Sequence, residues 1–154
     1  MDAGENALVP RLLVVHHTPS PNLQTVLEAV KEGAAMVDEV ELVLRPALSA
    51  GAADLLDADG VLLGTTANIG YMSGALKHFF DTVYYPCHDA RVGLPFGVYV
   101  HGGDDTAGAL KSIERITTAL RWKQVAAPVS LTGPPSAADL EAVTELAATV
   151  AVSL

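Results

Sequence analysis

Few residues of this chain could do chemistry by themselves. His16, His17 and His101 could hold a metal or carry protons, and Cys87 beside His88 could form a thiol–imidazole pair. Neither set has the spacing it needs. Metal sites group several Cys, His or carboxylate ligands at short separations; His16 and His17 have no Cys or carboxylate near them, and one or two of the three histidines are expected simply to line a pocket. Side chains at neighbouring positions do not face one another, so Cys87 and His88 are not expected to act together. The stretch His101–Gly108 (HGGDDTAG) lacks the Gly-Lys-Ser/Thr of a phosphate-binding Walker loop.

Three small, polar stretches remain: 16–24, 64–74 and 101–108. The first, His17-Thr18-Pro19-Ser20-Pro21-Asn22-Leu23-Gln24, carries hydroxyls and amides but no Lys or Arg. A helix beginning there would offer unpaired N–H groups and the positive end of its dipole, enough to hold a phosphate without a cation. Thr18, Ser20, Asn22, Leu23 and Gln24 are the candidates for that role. The same residues also read as a turn with an ordinary helix cap. The third stretch, His101-Gly102-Gly103-Asp104-Asp105-Thr106, has glycines that let a backbone approach a planar ligand closely. Its paired carboxylates would oppose added negative charge on such a ligand, or cap the helix that follows.

The elements that position these loops can be read from hydrophobic periodicity. Leu12–Val15, Gly60–Gly64 and Phe96–Val100 are continuous apolar runs, predicting strands buried on both faces. Val40–Leu44 alternates, as a half-exposed strand near a sheet edge does. Val125–Leu131 is the fifth predicted strand, and Pro128 inside it argues for an edge. Helical stripes run through Leu23–Val30, Met72–Val83 (closed by Pro86), Leu110–Leu120 and Leu140–Val150, with a poorer helix within 49–59. Ser136 followed by Asp139 is a capping pattern. Strands alternating with helices predict a parallel sheet covered on both faces, with ligands bound at the carboxyl ends of the strands.

Composition sets the bounds. The 154 residues suit one domain, 1–154, with 1–10 as a loose extension. The first eleven residues lack the basic start and apolar run of a secretory signal, and no apolar stretch is long enough to span a membrane. A net charge of −9 with scattered basic residues argues against nucleic acid. One cysteine suits a reducing, cytoplasmic setting.

The segment Gly64-Thr65-Thr66-Ala67-Asn68-Ile69-Gly70-Tyr71-Met72-Ser73-Gly74-Ala75-Leu76-Lys77-His78-Phe79-Phe80-Asp81 resembles the second flavin loop of the flavodoxin-like flavoproteins. The likeness is greatest to NAD(P)H-dependent FMN reductases and to quinone oxidoreductases related to Trp-repressor-binding protein. Their pattern is similar to GTP-[TAI]-x-x-G-x-M-[SA]-G-x-[LM]-K-x-F-x-D. This chain departs from it at Thr66, where the family usually has Pro. The resemblance implies a flavodoxin-like three-layer α/β sandwich with a five-stranded parallel sheet in the order 2-1-3-4-5. It also implies bound FMN, with Thr66, Ala67, Asn68, Ile69, Gly70 and Tyr71 beside the ring and 101–106 as a third flavin loop. Lys77, Phe79 and Asp81 match the helix after the loop.

The resemblance further implies an FMN oxidoreductase reduced by NAD(P)H, acting on a quinone or other small acceptor. Because the cofactor carries such chemistry, no side chain is expected to be catalytic. A one-electron carrier serving a redox partner protein is the alternative, and a binding or regulatory module with a decayed flavin site is a third. Loop three has no aromatic residue to cover the ring, which favours the reductase; the acidity favours the carrier. The short chain points to a monomer or small homo-oligomer.

Overall fold

A computed structural model of the chain describes residues 9–103 and 105–154. Its central strand, β1 (Arg11–His16), buries Leu12 to Val15 completely because it is flanked on both sides and covered on both faces. β2 (Glu41–Pro46) and β3 (Gly60–Asn68) pair with it in parallel, and β5 (Pro95–His101) pairs with β3. β6 (Lys123–Gln124) and β7 (Val129–Leu131) both lie along β5. The order is β2-β1-β3-β5-β6, with β7 also on β5 and β4 (Tyr71–Met72) an antiparallel addition to β3.

Alternation along the strands creates two apolar layers. Leu12, Val14, Leu62 and Tyr99 face α1 (Pro21–Ala35) and α5 (Ala137–Val152). Leu13, Val15, Val61, Leu63, Val98 and Val100 face α2 (Ala52–Leu56), α3 (Gly74–Cys87) and α4 (Thr106–Ala119). α1 and α5 meet at Gly33, where an added Cβ would overlap the Thr144 carbonyl. The capping pattern at α5 is present: Ser136 N–H donates to Asp139 Oδ2 at 2.9 Å, and Asp139 N–H donates to Ser136 Oγ at 3.1 Å.

The three-layer, flavodoxin-like arrangement and the order of the main strands are as expected, with differences of detail. The fifth strand is split, and residues 125–128 leave the ladder between β6 and β7. Pro128 has no N–H to give there. α3 continues through Pro86 to Cys87, since a proline in the last turn removes a single bond and its φ is already helical. The run from Gly60 does not stop at Gly64 but continues to Asn68 and turns back as a hairpin. Among the described residues no helix is long and apolar enough to cross a membrane.

Candidate functional site

Loop one leaves β1 at His16. His16 Nδ1 lies 2.7 Å from Thr18 Oγ1, and His17 N–H donates to Gly64 O at 2.9 Å, tying the loop to β3. Ser20 caps α1 by accepting from Leu23 N–H at 3.3 Å, with Pro21 opening the helix. The amides of His17, Leu23 and Gln24 are thus committed, the last to Ser20 O. Pro19 and Pro21 have none. The N–H groups of Thr18, Ser20 and Asn22 have no acceptor among the described residues. Three free amides at a helix N-terminus, beside two hydroxyls and the Asn22 amide, are groups that can hold an anion without a fixed cation. The Leu23 side chain is buried in the core, and Gln24 turns along the helix to Glu28. Neither side chain joins these groups.

Loop two is the tip of the β3–β4 hairpin. Ala67 pairs with Met72 and Asn68 with Tyr71, so Ile69 and Gly70 form a two-residue turn. Both have positive φ, 51° and 71°, which such hairpin turns demand. Gly70 takes that conformation freely. A β-branched residue does so only under strain, yet Ile69 holds it with its side chain fully exposed. Strain of this kind, about 1–3 kcal/mol, persists where the surrounding structure enforces it. Here the support comes from loop three. Asp105, itself at φ 43°, caps α4 by accepting from Gly108 N–H at 3.2 Å, and its carboxylate sits against Gly70. Gly108 in turn lies so close to the Gly70 carbonyl that an added Cβ would overlap it.

The hairpin is anchored below by a buried pair. Ser73 N–H donates to Thr65 Oγ1 at 3.0 Å, the Thr65 hydroxyl reaches Ser73 Oγ at 2.9 Å, and Ser73 Oγ caps α3 by accepting from Leu76 N–H at 3.1 Å. Removing the Ser73 hydroxyl uncaps a helix and takes one of its buried partners from the Thr65 hydroxyl. Ser73→Ala is therefore expected to lower stability by about 2 kcal/mol, read from the urea midpoint with an unchanged slope.

Register brings the loops together at the carboxyl ends of three strands: His16 pairs with Gly64, and Thr66 with His101. Thr66 Oγ1 bonds Asn68 Oδ1 at 2.6 Å, which stiffens the rim that Pro would stiffen in the resembled pattern. His101 is held by its Nε2 on Gly133 O at 2.8 Å, Gly102 N–H donates to Leu131 O, and Gly103 faces open space. Thr106 is the first residue of α4, and Asp104 lies outside the described residues. Tyr71 turns away from the rim, lining with Lys77, Phe80, Tyr84 and Arg115 a groove of about 350 Å³ between α3 and α4. Asp105 caps the following helix as its type allowed, whereas Thr65, Ser73 and Gly108 were not singled out by the sequence. The Ile-Gly pair between Asn68 and Tyr71 was the available sign of a hairpin.

The chain superimposes on a flavodoxin from the domain Archaea, TM-score 0.80 at 16% identity, over 93% of this chain and 97% of that one. It also matches a WrbA-like flavodoxin from Agrobacterium tumefaciens, TM-score 0.74 at 21% identity, over 94% and 96%. The chain has the flavodoxin-like fold. Two curated relatives share sequence with the flavodoxin-like chain. It is 36% identical over 73 residues to a flavodoxin of Aquifex aeolicus, covering 47% of this chain and 40% of that one. To the NAD(P)H dehydrogenase (quinone) of Acidithiobacillus ferrooxidans it is 28% identical over 122 residues, covering 62% and 61%. The flavodoxin-like chain thus spans less than two thirds of each curated relative. No family model matches it.

The residues of the site fit a flavin mononucleotide. The three free amides and the hydroxyls of loop one suit a phosphate monoester. The hairpin rim at 66–70 and the open backbone at Gly103 suit the edge of a flat ring.

Proposed function

We propose that the chain binds FMN across loops 17–24, 66–71 and 101–106 and passes electrons from NAD(P)H to a small acceptor such as a quinone, in the cytoplasm. A bound flavin would supply the hydride- and electron-accepting centre. The chain's own residues hold and orient it: Thr18, Ser20 and Asn22 at the phosphate, and the Thr66–Gly70 backbone along the ring. The reading rests most on the position of Tyr71. Loop three carries no aromatic residue, and Tyr71, the one aromatic side chain of the hairpin, belongs to the α3–α4 groove rather than the rim. A ring seated on loops two and three would have a face free for a nicotinamide to stack upon. The likeness to a quinone dehydrogenase supports the same reading. The acidic net charge of −9 favours the alternative, a one-electron carrier docking a basic redox protein.

Reconstitution followed by anaerobic mixing separates the two. FMN fluorescence should be quenched more tightly than that of FAD, because loop one is shaped for a terminal phosphate. NADH or NADPH should then bleach the bound flavin directly in one phase. Bleaching only by single-electron donors would establish the carrier instead, and failure to bind either flavin would refute the site.

A further inference from the structure

We infer that His16 is a positioning residue for the phosphate monoester of the cofactor, and takes up a proton as that phosphate docks. The inference rests on the FMN reading and names how this chain's cradle, which has no Lys or Arg, meets a dianion.

Two prolines deny loop one the amides at positions 19 and 21, so its side chains carry more of the binding. Thr18 is the residue His16 orients. With the ring hydrogen placed on Nδ1, His16 donates to Thr18 Oγ1 across 2.7 Å and leaves the Thr18 hydroxyl hydrogen free to point at an anion. The other ring nitrogen, Nε2, has no protein partner among the described residues and is where a proton from solvent would bind. On the same face the buried Tyr99 ring lies over Gly64, the residue registered with His16, and its hydroxyl makes no bond to the His16 ring.

The free protein keeps His16 neutral at pH 7: burial, then the neighbouring His17, push its pKa below the ordinary histidine value. Of the other ionisable groups on the surrounding elements, Glu32 on α1 and Glu141 and Glu145 on α5 have no side-chain partner among the described residues, and the rest are otherwise engaged. Glu28 on α1 bonds Gln24 and Lys31, Arg45 at the end of β2 pairs with Asp54, His101 on β5 holds Gly133 O, and Asp139 caps α5. The segment of β3 beside it, Gly64–Asn68, has no ionisable side chain. A dianion beside His16 raises its proton affinity, so binding draws in a proton and weakens as pH rises through the raised pKa. Free phosphate monoesters have a second pKa near 6, so binding their dianion releases protons; the two effects have opposite sign.

Calorimetric titration at pH 7 in two buffers of different ionisation enthalpy counts the protons directly. The expected result is net uptake with FMN and none with riboflavin. His16→Asn, which can still bond Thr18, should abolish the uptake with only a few-fold loss of FMN affinity. His16→Ala should abolish it with roughly a tenfold loss or more, as a charge-assisted bond is removed. Riboflavin affinity should be unchanged in both. Tight FMN binding by the wild type without uptake, or uptake that survives in His16→Asn, overturns the inference while leaving the FMN reading intact. A wild type that binds neither flavin overturns both.

Discussion

Replacing Gly33 by valine is expected to lower stability by about 3 kcal/mol and the Tm by about 10 °C. α1 and α5 cover one face of the sheet, and they touch through the absence of a side chain at Gly33. An added Cβ would overlap the carbonyl of Thr144 and come within 3.0 Å of the Ala147 methyl. The obstacle is backbone, which cannot swing aside as a flexible side chain can. The helices must separate, and the close packing along the whole seam loosens with them, which adds to the cost. Gly33→Ala should show the same effect in weaker form, against the usual gain in helix propensity. A thermal midpoint at or above wild type for Gly33→Ala would mean that the two helices do not meet as described.

The second large effect is on the ligand. Gly70→Val should weaken FMN binding at least tenfold while far-ultraviolet circular dichroism stays that of the wild type. Valine at φ 71° adds a second β-branched residue to a turn already strained at Ile69. Its Cβ would also lie 2.7 Å from Asp105 Oδ2, so the turn must shift, or Asp105 must leave its capping position. Either movement displaces the rim proposed to lie along the ring, whereas the sheet beneath is untouched. The stability loss should be smaller than for Gly33→Val, about 1–3 kcal/mol. Unchanged FMN affinity together with an unchanged urea midpoint would show that the hairpin tip does not touch the cofactor.

These two glycines mark how far the sequence could be read. Buried strands announce themselves as apolar runs, and Leu12–Val15 or Phe96–Val100 have no other physical reading once turn residues bound them. The helices were legible for the same reason, since Leu23, Val26, Leu27 and Val30 form a stripe only at helical period. The seam at Gly33 was not legible, because it depends on Thr144, far along the chain, and only tertiary packing joins the two. The same holds for Asp105. Its type permits a cap, but its pressure on Gly70 arises from the register that sets β5 beside β3. At the site, composition gave the polar loops and resemblance gave the ring-side segment. The Thr65–Ser73 bond that steadies them joins residues on opposite arms of a hairpin, and the extension of β3 past Gly64 concealed it. The split of the fifth strand was half legible: Pro128 marked an edge, but not that the ladder would lapse over the residues before it.

That lapse bears on how the protein behaves when crowded. An open sheet ends in rows of unsatisfied amides and carbonyls that can template pairing with another chain, the first step toward fibrils. On one flank the row is broken into a two-residue and a three-residue piece, separated by a stretch containing proline. On the other, β2 ends in Pro46 and carries Glu41 and Arg45, held by Arg11 and Asp54 respectively. A foreign strand would find only short pieces on the first flank, would meet charged side chains and a closing proline along β2, and another copy of the chain would carry the same net negative sign. The irregularity that shortens the sheet thus removes part of the edge along which copies of the chain could pair.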